Sequence, residues 1–168
     1  MATAIADAAA ARREYLDETG GRYVHVLADG DIHSSGDLAK AIACGADAVV
    51  LCAPFYIRPG QEEIKQHFRL VKAATSLPLV AYQVQANVQT VIDVATIAEL
   101  AAEGTIVGLK DSSGDDVNIR AMIAAVKDVP NFSVFTGSEL TVDYAIFGGA
   151  NGVVPGLGNV DPKGYRKL

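Results

Sequence analysis

Six short apolar runs alternate with helix-length segments along this chain of 168 residues, and that alternation fixes most of what it can fold into. The runs are Tyr23–Ala28, Ala48–Cys52, Leu79–Tyr82, Ile106–Lys110, Phe132–Phe135 and Gly152–Val154. A strand that is apolar at successive positions is buried on both faces, and strands separated by helices run parallel with right-handed crossovers. Strand starts recur about every 20 to 30 residues. The intervening segments predict helices over Thr3–Thr19, Ser34 or Ser35 to Ala43, Gln61–Ala74, Val91–Glu103, Asp115–Lys127 and Ser138–Phe147. Gly20-Gly21 and Gly45 stand where helix stops are expected, and Pro59-Gly60 breaks the chain before the third helix. A further helix is expected to open after Asp161-Pro162. Two α/β architectures satisfy the pattern, an open doubly wound sheet or a parallel (β/α) barrel of the TIM type. Six strands fall short of the eight that close such a barrel. No linker or low-complexity stretch divides residues 1–168, which read as a single domain.

Composition narrows the partners. Half of the residues are apolar, which argues against disorder. The formal charge of −6 gives no reason to expect a nucleic acid or an anionic membrane surface as partner. No stretch approaches the roughly 18 apolar residues of a membrane span. The start, MATAIADAAAARREYL, lacks a basic segment followed by an apolar core and reads as a folded amphipathic helix rather than a targeting signal. Cys44 and Cys52, the only cysteines, sit in apolar runs with no CxxC spacing and read as two reduced, buried thiols of a cytoplasmic protein.

Both architectures place their sites at the carboxyl ends of the strands. The residues there are Asp29, Cys52 followed by Ala53-Pro54-Phe55-Tyr56, Tyr82, Lys110, Thr136-Gly137 and Pro155-Gly156. Lys110 ends an apolar strand, where burial disfavours the ammonium form, and a neutral amine attacks carbonyls. The same lysine could instead extend its amine to solvent or pair with Asp111. Tyr82 ends the strand before it in the chain. A phenol there can relay protons to a carbonyl or carbinolamine, or serve as an ordinary buried aromatic. A lysine and a tyrosine on adjacent strand ends could carry out imine chemistry without metal or organic cofactor. After Lys110, the Asp111–Asp116 loop offers hydroxyls, Ser112 among them, for a carboxylate, and Asp115 as a helix cap. Gly137 and Gly156 permit close approach of backbone to a ligand, or are turn glycines. His25, His33 and His67 are far apart and form no metal-ligand spacing. There is no GxGxxG or Walker loop, so no cofactor is expected.

Gly108-Leu109-Lys110-Asp111-Ser112-Ser113-Gly114-Asp115 resembles the Schiff-base strand of the dihydrodipicolinate synthase / N-acetylneuraminate lyase family. Pro54–Pro59 looks like that family's fourth-strand loop, and Ala81-Tyr82-Gln83-Val84 like its Tyr-Asn-x-Pro strand. Phe135–Glu139 and Gly152–Gly156 look like its strands seven and eight. The resemblance covers about residues 45–168. It implies an incomplete barrel, about six of eight strands, and a class I aldolase or lyase acting on pyruvate or a related 2-keto acid. On that reading Lys110 carries the imine, Tyr82 relays protons, Tyr56 joins the relay, and Gly137, Val154 and Ser112 line the keto-acid pocket. Three departures stand out. The family's Gly-Thr-Thr-Gly-Glu-like loop has no counterpart. Gln83 and Gln85 replace its Asn and Pro. Asn87 stands where enzymes of the lysine pathway keep an arginine, which argues against dihydrodipicolinate synthesis itself.

Residues 20–40 are similar to a late-barrel segment of IMP dehydrogenase-like proteins, in which the loop matched by Asp29-Gly30 holds a nucleotide's ribose and phosphate. Cys52 replaces the phosphate-binding glycine expected after it, and the catalytic cysteine loop is missing. This resemblance implies two barrel pieces joined near Gly45–Val50. It leaves a nucleotide- or phosphate-binding module and a non-catalytic scaffold as alternatives to the aldolase. Six strands with a free edge on each side would have to close on themselves, pair between chains or swap elements, so a homo-oligomer or a poorly soluble monomer is expected.

Overall fold

A computed structural model of the chain describes residues 1–30, 32 and 34–167, without the side chain of Ser35. Asp31 of the predicted loop and His33 lie outside the described residues. The elements run α1 (Ala2–Glu18), β1 (Leu27–Asp29), α2 (Ser35–Ala43), β2 (Ala48–Cys52), α3 (Gln61–Ala73), β3 (Leu79–Gln83), α4 (Gln85–Val88), α5 (Val94–Ala102), β4 (Gly108–Asp111), α6 (Asp116–Val126), β5 (Ser133–Thr136), α7 (Val142–Phe147), β6 (Gly152–Val153) and α8 (Pro162–Tyr165). The six strands form one parallel sheet in sequence order, β1 through β6. Sequential order with a crossover helix between neighbours is the barrel connectivity, since a doubly wound sheet reverses its order at a switch point. The sheet curls into a half-barrel, which settles the choice that the pattern left open.

One face of the sheet packs against helices. Val49, Leu79, Ala81, Leu109 and Val134 point that way and meet Ile64 and Phe68 of α3, Ile97 and Leu100 of α5 and Met122 of α6. All are buried, and each large side chain contributes about 1.5–3 kcal/mol by leaving water. Because side chains alternate along a strand, the residues between them face the concave side. That row holds Cys52, Tyr82, Lys110, Phe135 and Gly152 in register. A smaller cluster of Ile5, Ala28, Ala41 and Ala46 seats α1 and α2 at the β1 edge. Among the described residues, no helix is long and apolar enough to cross a membrane. Cys44 and Cys52 are free, as expected, but only half-buried.

Side-chain captures of the backbone account for where the elements differ from expectation. The strand read over Tyr23–Ala28 begins only at Leu27. The carboxylate of Asp47 accepts from the Val26 amide at 2.7 Å and from the Tyr23 hydroxyl at 2.6 Å, which takes the Val26 amide out of the ladder while its carbonyl accepts from the Asp47 amide. The helix expected from Val91 starts at Val94. The buried side chain of Gln83 accepts from the Ile92 amide at 3.0 Å and donates to its carbonyl, so Ile92 cannot enter a helix. The helix read from Ser138 starts at Val142, after a turn in which the Ser138 amide donates to Thr136 Oγ1. Ser34, rather than Ser35, caps α2, and Asp115 caps α6 by accepting from the amides of Val117 and Asn118.

Asp47 also pairs with Arg12, so one carboxylate joins α1, the segment before β1 and the start of β2. Burial opposes its ionisation, but the Tyr23 hydroxyl, the Val26 amide, Arg12 and His25 together hold its carboxyl below the usual value. Asp47→Asn is expected to lower the unfolding free energy by about 2 kcal/mol in urea denaturation at neutral pH. A group with a depressed folded value stabilises above its unfolded value and loses that contribution as pH falls through the folded one. The contribution of Asp47 is therefore complete above about pH 4 and lost below it, and the acid limb of the stability curve should shrink in the variant.

Candidate active site

Lys110 lies near the end of β4 on the concave face, its side chain 12% exposed. Its Nζ sits 4.1 Å from the centroid of the Tyr82 ring, the in-register neighbour on β3. It also donates to Asp29 Oδ2 at 2.7 Å. The lysine thus pairs neither with solvent nor with Asp111. Asp111 follows it in the strand and points to the opposite face, where it is 2% exposed. Its Oδ1 accepts from the Ser113 amide, while Oδ2 has no described partner. Burial above all, and the charge of Asp115, push the Asp111 carboxyl up.

A second row continues the sheet one step beyond the strand ends. Ser112 donates its amide to the Gln83 carbonyl at 2.8 Å, Gly137 to that of Asp111 at 2.7 Å and Val154 to that of Thr136 at 2.8 Å. Each stands two positions after a concave-facing residue, so these three residues line up beside the lysine on the same face. The packing is tight at Gly137, where a Cβ would collide with Ser112 Oγ. Tyr56 is not brought into this group. It is 96% exposed in the loop after β2, flanked by exposed Phe55 and Ile57. That loop is tied instead to the loop after α4, by Thr90 Oγ1 donating to the Pro54 carbonyl and Arg58 to Gln89.

Beside the lysine and tyrosine lies a cavity of about 300 Å³, lined among others by Asp29, Cys52, Phe55, His67 and Tyr82. Burial first, then the Asp29 charge, push the Cys52 thiol up, with Lys110 pulling the other way. Burial lowers the basicity of His67, against a hydrogen bond with the Cys52 backbone, so its imidazole is neutral at pH 7. A larger groove of about 450 Å³ runs between α6 and Gly148-Gly149, at the amino ends of β5 and β6, away from Lys110. The sequence reading passed over the meeting of Asp29 with Lys110 and the presence of His67. A charged residue ending β1 was the one signal for Asp29. His67 gave none, because helix residues reach a strand-end cavity only through tertiary packing.

Gly137→Ala is expected to turn the Ser112 hydroxyl out of its present position at a cost of about 1 kcal/mol. A crystal structure and thermal melts check both. An unmoved Ser112 with no loss of stability would contradict the close contact.

Comparison with known proteins places this geometry. A 4-hydroxy-tetrahydrodipicolinate synthase from Methanothermobacter thermautotrophicus is 32% identical over 159 residues, covering 91% of this chain and 56% of that protein. A solved dihydrodipicolinate synthase from Acinetobacter baumannii, complexed with pyruvate, is similar over 97% of this chain and 56% of its own, with 27% identity and a TM-score of 0.79. The chain therefore spans little more than half the length of either. A stretch of 54 residues is also 96% identical to an uncharacterized oxidoreductase of Mycolicibacterium smegmatis, covering 32% of this chain and 14% of that protein. The expected IMP dehydrogenase-like piece finds no support in these likenesses, and the A. baumannii match carries β1 and β2 in one frame with the later strands. The model of the Dihydrodipicolinate synthetase family matches residues 31–168, and the chain belongs to that family.

Proposed function

We propose that this protein is a class I aldolase or lyase in which Lys110 forms a Schiff base with pyruvate or a related 2-keto acid. The observation that carries the reading is the lysine amine at a strand end, shielded from water and laid 4.1 Å from the Tyr82 ring. Imine formation needs an amine, a carbonyl held against it and a route for protons. In this reading Lys110 is the nucleophile and Tyr82 relays the protons. Gly137, Val154 and Ser112 form the wall along which the keto acid lies, with the Ser112 hydroxyl available to its carboxylate. The pyruvate bound in the A. baumannii enzyme supports the substrate class. Neither metal nor organic cofactor enters the scheme. We place the protein in the cytosol, where two free thiols stay reduced.

A non-catalytic scaffold is the second reading. The nearly full exposure of Tyr56, assigned to the relay, favours it. On either reading the edge strands β1 and β6 make self-association the expected state. Light scattering should give a mass above that of one chain, and a stable monomer would contradict this.

Borohydride reduction with pyruvate, followed by peptide mapping, tests the chemistry. The expected result is a covalent adduct on Lys110 that is missing in Lys110→Ala. A folded protein that gives no adduct would rule out the Schiff base and leave the scaffold.

A further inference from the structure

We propose that Asp29 is a catalytic residue, the acid–base partner through which Lys110 makes and releases its imine. The proposal rests on the Schiff-base reading. Asp29 Oδ2 touches the reacting nitrogen at 2.7 Å. The same carboxylate and the Tyr82 ring that Lys110 touches also line one neighbouring cavity. It is the single carboxylate among the residues described around that cavity. The other titratable groups there are poorly suited to the role. The Cys52 thiol is pushed up and stays protonated, and the His67 imidazole is held neutral. Asp111, next in sequence to the lysine, faces the other side of the sheet.

The proton inventory closes with Asp29 alone as the exchanging acid. The Lys110 ammonium passes one proton to the Asp29 carboxylate. The neutral amine attacks the carbonyl carbon, a C–N bond forms, and the C=O π pair moves to oxygen. A proton then moves from nitrogen to that oxygen, with Tyr82 beside it, to give the carbinolamine. Asp29 returns its proton to the hydroxyl, which leaves as water while the nitrogen lone pair closes the C=N bond. One ammonium and one carbonyl become one protonated imine and one water, and Asp29 ends as the carboxylate that faces the new cation.

The rate of imine formation separates this role from that of a plain counter-ion, because the two predict opposite signs. A counter-ion only stabilises the ammonium, so its removal would free the amine and speed trapping. A catalytic acid–base group speeds both attack and loss of water, typically by factors of a hundred or more. The experiment measures adduct formation on Lys110 with pyruvate and excess borohydride at pH 7. It compares the intact chain, Asp29→Asn and Asp29→Glu, each first shown by circular dichroism to keep its helix content. The expected result is trapping on the order of a hundredfold slower in Asp29→Asn, with Asp29→Glu recovering at least about a tenth of the original rate. An Asp29→Asn rate equal to or above the original, with the adduct intact, overturns the role of Asp29 and leaves the Schiff base standing. Loss of rate in Asp29→Glu equal to that in Asp29→Asn also overturns it, since the carboxylate is then not what matters. Absence of any adduct in the unmodified protein overturns the Schiff base itself.

Discussion

The contact between Lys110 and Asp29 exists only because of the curled sheet on which the site depends. The two residues are 81 positions apart, on strands with two others between them. Neighbouring strands lie about 4.8 Å apart, so β1 and β4 would stand about 14 Å apart on a flat sheet. Side chains rise roughly perpendicular to a sheet, and across a flat one these groups would remain separated. They meet at 2.7 Å because the sheet curls. The curl follows from the twist of parallel strands covered on one face by α3, α5 and α6. Gly108 marks the need for space on the concave side, where a Cβ would come within 2.9 Å of the Ser133 carbonyl.

Much of this was legible in the sequence because it is local. Apolar runs such as Ala48–Cys52 and Leu79–Tyr82 announce buried parallel strands by composition alone, and Asp115 announces its cap by type and position. Lys110 stood out because a lysine closing an apolar strand has few ordinary explanations. Gly137 and Val154 were named through the family resemblance, and the structure sets them in a row with Ser112. What escaped detection were pairings between distant positions. Asp47 and Gln83 each withdraw a backbone segment from the element that its own residues favour, Tyr23–Val26 from a strand and Ile92 from a helix. Nothing local in either segment marks the distant side chain that does so. The meeting of Asp29 with Lys110 escaped for the same reason, because the two lie three crossovers apart.

The site that results is sparse. One carboxylate, one phenol, a neutral imidazole and a protonated thiol surround a cavity of about 300 Å³, and one amine touches the carboxylate and the phenol ring. The chain forms six parallel strands while spanning little more than half of its relatives' length. Because Asp29 belongs to β1, at the edge of the sheet, its contact with Lys110 depends on how firmly that edge is held. The short β1 is anchored by the Asp47 carboxylate through α1 and by the small Ile5, Ala28, Ala41 and Ala46 cluster. The anchoring at the amino end of the strands and the Asp29–Lys110 contact at their carboxyl end are thus joined through one three-residue strand.

A double-mutant cycle on unfolding free energy, combining Asp29→Asn with Lys110→Met, tests the curled geometry most directly. The account predicts a coupling energy of about 1 kcal/mol or more between the two positions. Strict additivity of the two substitutions would mean that β1 and β4 do not meet through these side chains, and would contradict it.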